Sequence, residues 1–108
     1  MPIRALDPID FYPTLDASRG VVLVVFVRPA CGACRALKAA LERVELTSLF
    51  VDVEQGPGLV QTYELFHLPA MFVWRDGEFH APVHAAPTPT ALYAAVEAAL
   101  AGPAHEEP

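Results

Sequence analysis

The chain has 108 residues, 54% of them hydrophobic, and a formal net charge of −6. That length holds one core and leaves no room for a second domain, and the chain lacks the 18 consecutive apolar residues that a membrane-spanning helix needs. The acidic balance argues against nucleic acid or an anionic membrane surface as partner, since both select basic surfaces.

In chain order, Ile3 to Leu6 reads as a short edge strand, and Asp7-Pro8 as the start of a short helix over Ile9 to Leu15. Val21 to Val27 is an unbroken apolar, β-branched run, too short for a membrane span, and reads as a strand buried on both faces. Directly after it stands Cys31-Gly32-Ala33-Cys34, which holds both cysteines of the chain. Leu37, Leu41 and Val44 then recur at the spacing of an amphipathic helix, so the two sulfurs fall at a strand-to-helix junction.

Ser48 to Val53 reads as a second buried strand that stops at Glu54-Gln55-Gly56-Pro57-Gly58, followed by a helix around Leu59 to Phe66. Ala70 to Trp74 and Phe79 to Val83 read as the two strands of a hairpin with Asp76-Gly77 at its turn. Thr88 is the expected N-cap of a last helix, with Pro89 in its first turn, Leu92, Val96 and Leu100 as its stripe and Gly102 at its end. Residues 103–108 read as a frayed acidic tail behind a domain spanning 1–102. Strands linked through helices pair in parallel and the hairpin adds antiparallel strands, so the expected fold is α/β, a mixed central sheet with helices on both faces. Trp74, Phe11, Tyr12, Tyr63 and Phe66 are read as packing residues.

The chemistry points to the cysteine pair. Unpartnered N–H groups and the positive end of the helix dipole favour a thiolate over a thiol in a first helical turn. Cys31 is therefore the expected attacking sulfur, and Cys34, one turn further in, the shielded one that resolves. Arg28, Arg35 and Lys38 stand close in sequence to the pair, and local positive charge lowers a thiol pKa further; the same cations also suit a solvated helix face. A zinc site would need His67, His80, His84 or His105 beside the cysteines, but four residues along a strand set His80 and His84 about 13 Å apart at roughly 3.3 Å per residue, so no metal site is expected. Met1-Pro2-Ile3-Arg4 carries no basic-plus-apolar leader, so a cytoplasmic location, with a transient rather than structural disulfide, is expected.

The order of elements, with Cys31-Gly32-Ala33-Cys34 after the first long strand, Phe50-Val51-Asp52-Val53, Leu68-Pro69 and Arg75-Asp76-Gly77-Glu78, resembles the thioredoxin superfamily from about Pro8 to Gly102. The resemblance implies a thioredoxin-like three-layer sandwich, a cis peptide bond at Pro69 lying against the sulfurs, and a Leu68 backbone that binds substrate. It also implies catalysis by Cys31 and Cys34, with Ala30 at the substrate-facing position and Gly32 and Ala33 tuning the thiols together with Arg28 and Arg35. The chain departs from the pattern at Ala30, where thioredoxins carry Trp, at Ala33, where they carry Pro, and at Val25, where a buried acid is usual. His67, two residues before Pro69, is a candidate for the proton-transfer role so vacated.

The expected function is thiol-disulfide exchange through a reversible Cys31–Cys34 disulfide, with no other cofactor. Disulfides of proteins or small molecules are the expected substrates, and an external reductase or thiol the expected reductant. A binding or redox-sensing module without efficient turnover is the alternative. A glutathione-linked or iron–sulfur-carrying relative is a third reading, for which the sequence offers no clear basic pocket.

Overall fold

The structure, a computed structural model, describes residues 3–108; Met1 and Pro2, with which the expected domain opens, lie outside them. Five strands form one sheet: β1 (Ile3–Ala5), β2 (Val21–Val27), β3 (Ser48–Asp52), β4 (Ala70–Arg75) and β5 (Glu78–Val83). They stand in the order β1-β3-β2-β4-β5. β3 pairs in parallel with β1 and β2, whereas β4 runs antiparallel to both β2 and β5. The helices are α1 (Phe11–Asp16), α2 (Gly32–Leu41), α3 (Pro57–Thr62) and α4 (Pro89–Ala101).

The uniform hydrophobicity of β2 follows from its central place. Successive strand side chains point to opposite faces. Val22, Val24 and Phe26 pack with Phe11, Leu15, Leu59 and Tyr63 beneath α1 and α3. Leu23 and Val25 pack with Leu37, Leu41, Leu92 and Val96 beneath α2 and α4. The sheet therefore has a core on each side, and the chain is the expected three-layer α/β sandwich. Trp74 is buried beside Phe11 and Phe79, both edge-on to its ring, as a packing role requires.

Capping agrees with the sequence where polar residues drive it. Asp7 accepts from the Ile9 amide at 3.1 Å and opens a 3₁₀ turn, Pro8–Asp10, that leads into α1. Thr88 accepts from the Ala91 amide at 3.2 Å and starts α4, with Pro89 in its first turn.

Two expectations are corrected. The helix expected over Leu59 to Phe66 instead starts at Pro57 and ends at Thr62. It is stopped by a Schellman motif: Glu64 adopts φ 52°, and Leu65 and Glu64 donate to the Val60 and Gln61 carbonyls at 3.1 and 3.3 Å. Phe66 is thereby turned out of the core and is 85% exposed, and Tyr12, at 39%, is also not a core residue.

The tail also behaves differently from a frayed end. The pairing of β4 with β5 shifts at Val73/Trp74, matching Ala81 and then Phe79, so His80 is bulged out of the ladder. Its free carbonyl accepts from the His105 amide at 2.6 Å, and its Nε2 lies 3.1 Å from the Gly102 carbonyl. Gly102 and His105 are thereby held against β5 by the ring and the backbone carbonyl of His80.

Candidate active site

Sheet topology gathers the site at one end of β2. The strand ends at Val27, Arg28-Pro29-Ala30 turns the chain, and α2 begins at Gly32. Phe26 pairs with Ala70 at the start of β4, so the antiparallel register sets Leu68-Pro69 at the same sheet end as the cysteines. The Leu68–Pro69 bond is cis, as the resemblance implied.

Cys31 and Cys34 are joined in a disulfide, with their α-carbons 5.2 Å apart. Cys31 is the N-cap of α2, in extended conformation, and its sulfur accepts from the Cys34 amide at 3.1 Å. An N-cap serine or aspartate makes the same interaction through oxygen. In the reduced protein the same N–H would stabilise charge on Cys31. Cys31 is 9% exposed and Cys34 5%, so both residues are largely covered in the disulfide form. Ala30 is held at φ 57°, a left-handed conformation that costs an alanine ~1–2 kcal/mol. It turns the chain so that Cys31 can cap the helix.

Two concavities flank the disulfide. One, of about 470 Å³, is mostly apolar and runs between Ala33 and Leu37 on α2, Pro69 and Met71 on the β4 side, and Pro82 and Val83 on β5, with His67 and His84 at its edges. The second, of about 200 Å³, has Cys31, Cys34 and Phe50 in its lining, together with Arg28, Ala30, Arg35 and Lys38. Gly32 is exposed beside it, and a Cβ at Gly32 would lie 3.8 Å from Arg35 Nη2, so the guanidinium folds back over the start of α2.

The structure thus brings together Cys31, Cys34, Ala30, Arg28 and Arg35 on one side, and Ala33, Pro69 and His67 on the other. Leu68 is partly buried and packs its side chain on the α1/α3 core. Val25 is fully buried with Leu37, Met71 and Val73, so a hydrocarbon occupies the place where the family pattern has an acid. His84, considered in the sequence only as a metal ligand, borders the groove because β5 ends beside Pro69. Only the fold makes them neighbours. Among the described residues no group of three or more His, Cys, Asp or Glu side chains is arranged to hold a metal, and no helix is long and apolar enough to cross a membrane.

A mixed sheet between two helical layers, with a Cys-x-x-Cys disulfide capping α2 and a cis-proline at the same end, defines a thioredoxin-like protein. The family model described as thioredoxin matches residues 3–98, and the chain belongs to that family. It is 32% identical over 84 residues to the thioredoxin of Staphylococcus epidermidis, covering 72% of this chain and 79% of the relative. With the thioredoxin of Bacillus subtilis it shares 30% over 69 residues, 58% of this chain and 66% of the relative. Chloroplastic thioredoxin X of Arabidopsis thaliana is 28% identical over 82 residues, 70% of this chain, and the match spans less than half, 45%, of that protein.

Proposed function

We propose that the chain is a thiol-disulfide oxidoreductase of thioredoxin type that reduces disulfides of proteins or small molecules. The observation that carries this reading is the Cys31 sulfur seated on the first turn of α2, 3.1 Å from the Cys34 amide and within bonding distance of a second sulfur.

In the forward direction the Cys31 thiolate attacks one sulfur of the substrate. The substrate S–S bond breaks, one substrate thiolate leaves, and a mixed disulfide to Cys31 forms. Cys34 then loses its proton to solvent and attacks the Cys31 sulfur, forming the internal disulfide and releasing the second substrate thiolate. Two electrons pass from the dithiol to the substrate. An external dithiol or reductase returns them, a cycle that needs a reducing, cytoplasm-like compartment. Arg28 and Arg35 hold positive charge beside the attacking thiolate. Gly32 and Ala33 leave the turn between the sulfurs open. Ala30, Pro69 and the Leu68 backbone align the substrate chain.

The test is the dithiothreitol-dependent reduction of insulin. The folded protein is expected to accelerate insulin precipitation over dithiothreitol alone, with the effect lost in Cys31→Ser. A folded protein without acceleration, whose Cys31 titrates like free cysteine, would instead be a binding or redox-sensing module. Val25 and Ala30, which remove the usual acid and the usual aromatic platform, are what favour that second reading.

A further inference from the structure

The charge around the disulfide has the opposite sign to the charge of the chain. The protein carries −6 overall and only seven Lys and Arg residues. Three of the seven, Arg28, Arg35 and Lys38, line the 200 Å³ basin at Cys31, and no Asp or Glu lines it. Helix periodicity alone does not account for this. Arg35 and Lys38 project from α2, whereas Arg28 comes from the loop after β2, so tertiary structure makes them converge. Among the described residues none of the three is held in an ion pair. The first turn of α2 adds its own positive partial charge at the same place. The net charge of −6 disfavours the approach of an anion while three cations favour it locally at this mouth, and a cleft lined by one sign of charge raises encounter rates about tenfold or more.

We propose that this basin selects disulfides bearing a carboxylate close to the sulfur that Cys31 attacks. The inference rests on the oxidoreductase reading and adds the substrate class. The carboxylate pairs with the guanidinium of Arg28 or Arg35, for which a two-pronged hydrogen bond is available, while Lys38 contributes a point charge at the rim. Exchange proceeds as above: the substrate S–S bond breaks, the half on the far sulfur leaves as a thiolate, and the carboxylate-bearing half, held on Cys31 as the mixed disulfide, leaves as a thiolate when Cys34 attacks Cys31. The two electrons come from the protein dithiol. Such a carboxylate belongs either to a small dicarboxylate disulfide or to an acidic residue flanking a cystine in a protein.

The test oxidises the pre-reduced protein with 3,3′-dithiodipropionate, bis(2-hydroxyethyl) disulfide and cystamine, which are anionic, neutral and cationic. Loss of protein thiols is followed by acid quench and mass spectrometry, and each rate is divided by that of a small neutral thiol with the same disulfide. A peptide cystine flanked by Glu, and its Gln counterpart, form the second series. The expected normalised order is anionic, neutral, cationic, with about tenfold or more between the extremes at low salt, shrinking as salt screens the basin. In Arg35→Gln and in Arg28→Gln the ratio of anionic to neutral rate is expected to fall severalfold. The ratio is the readout because both variants also change the reactivity of Cys31 toward every substrate. A preference in both series points to small dicarboxylates as substrates, and one in the peptides alone points to acidic protein segments. Equal rates in both series, or an unchanged ratio in both variants, overturn the selection while leaving the oxidoreductase intact. Failure of all five disulfides to oxidise a folded, reduced protein overturns both.

Discussion

The backbone N–H of Cys34 donates to the sulfur of Cys31 at 3.1 Å, so the first turn of α2 holds the proposed attacking residue by the atom that would bear the charge. Reduction leaves the donor in place, and the Cys31 thiol is expected to ionise below the ~8.5 of a free cysteine. The rate of iodoacetamide labelling against pH, with the labelled residue mapped by mass spectrometry, measures this. Cys31 is expected to label with the lower midpoint and Cys34 at least severalfold more slowly. Cys34→Ser is expected to accumulate a mixed disulfide with insulin, and Cys31→Ser to accumulate none. A Cys31 midpoint at or above that of free cysteine contradicts the arrangement.

Val25 sets a second expectation, because it is fully buried in hydrocarbon beneath α2. An aspartate there has no partner, and Val25→Asp is expected to cost ~2–5 kcal/mol near neutral pH. The sign of the pH dependence follows from burial. The folded-state carboxyl is pushed above its unfolded value of ~3.9, so the folded variant binds the extra proton. Relative to wild type, the variant is most stable below pH ~3.9 and loses stability as pH rises toward the folded-state pKa. Urea midpoints at pH 5 and pH 8 check this, and an equal cost at both contradicts it.

The central fold was legible because its signals are local. An apolar run with no polar alternation means a strand covered on both faces, and Val21–Val27 is that strand. Asp7 and Thr88 cap through their own side chains, and Asp76-Gly77 is a turn dipeptide. What was missed depends on backbone geometry or on distant chain segments. Nothing in the side chain of Glu64 announces the left-handed conformation that ends α3, so the sequence reads Phe66 as a packing residue on a longer helix. The His80 bulge frees a carbonyl that every residue possesses, and its ring meets Gly102 only because the chain returns to β5 after α4. The basin takes its lining from the end of β2, the loop after it, β3 and α2, and the groove from α2, β4 and β5, so neither shape can be read from one segment. The cysteine pair and the three cations beside it were legible, whereas the shape of the two concavities that flank it was not.

Tyr63 is 5% exposed in the aromatic cluster of the α1/α3 face, touching Phe11, Phe26 and Phe72, and its hydroxyl makes no hydrogen bond. Burial pushes its pKa well above the ordinary phenol value, and the nearby Tyr12 and Glu107 add to the shift, although Tyr12 does not reach hydrogen-bond geometry. Since the folded phenol keeps its proton and the unfolded one loses it near pH ~10, this contribution is complete below that pH and declines above it. Tyr63→Phe removes an unpaired buried hydroxyl and is expected to leave stability unchanged or raise it by ~1 kcal/mol at pH 7. It is also expected to flatten the loss of stability above pH 10. Denaturant midpoints across pH 7 to 11 measure both effects, and a loss above ~1 kcal/mol at pH 7 would mean that the hydroxyl is paired after all.

The hairpin turn separates stability from chemistry. Asp76 and Gly77 have φ of 51° and 84°, as a two-residue turn between twisted strands requires. The turn is bolted to the loop before β2: the Gly20 amide donates to Asp76 Oδ1 at 2.7 Å, and the Asp76 amide donates to the Gly20 carbonyl at 2.9 Å. A Cβ at Gly77 would stand 2.6 Å from the Asp16 carbonyl oxygen, a backbone atom that cannot swing aside. Gly77→Ala thus adds a clash to a strained conformation and is expected to cost ~2 kcal/mol or more, and Asp76→Ala ~1–2 kcal/mol. Their sum is not expected to be additive, because both loosen one turn. Val21 pairs with Arg75 beside this turn, while Phe26 pairs with Ala70 at the cysteine end, so the turn and the disulfide lie at opposite ends of β2. Both variants are therefore expected to lose denaturant resistance and yet retain wild-type kcat/KM for disulfide exchange at temperatures where they remain folded. A matching fall in kcat/KM would show that the far end of the sheet controls the geometry of Cys31.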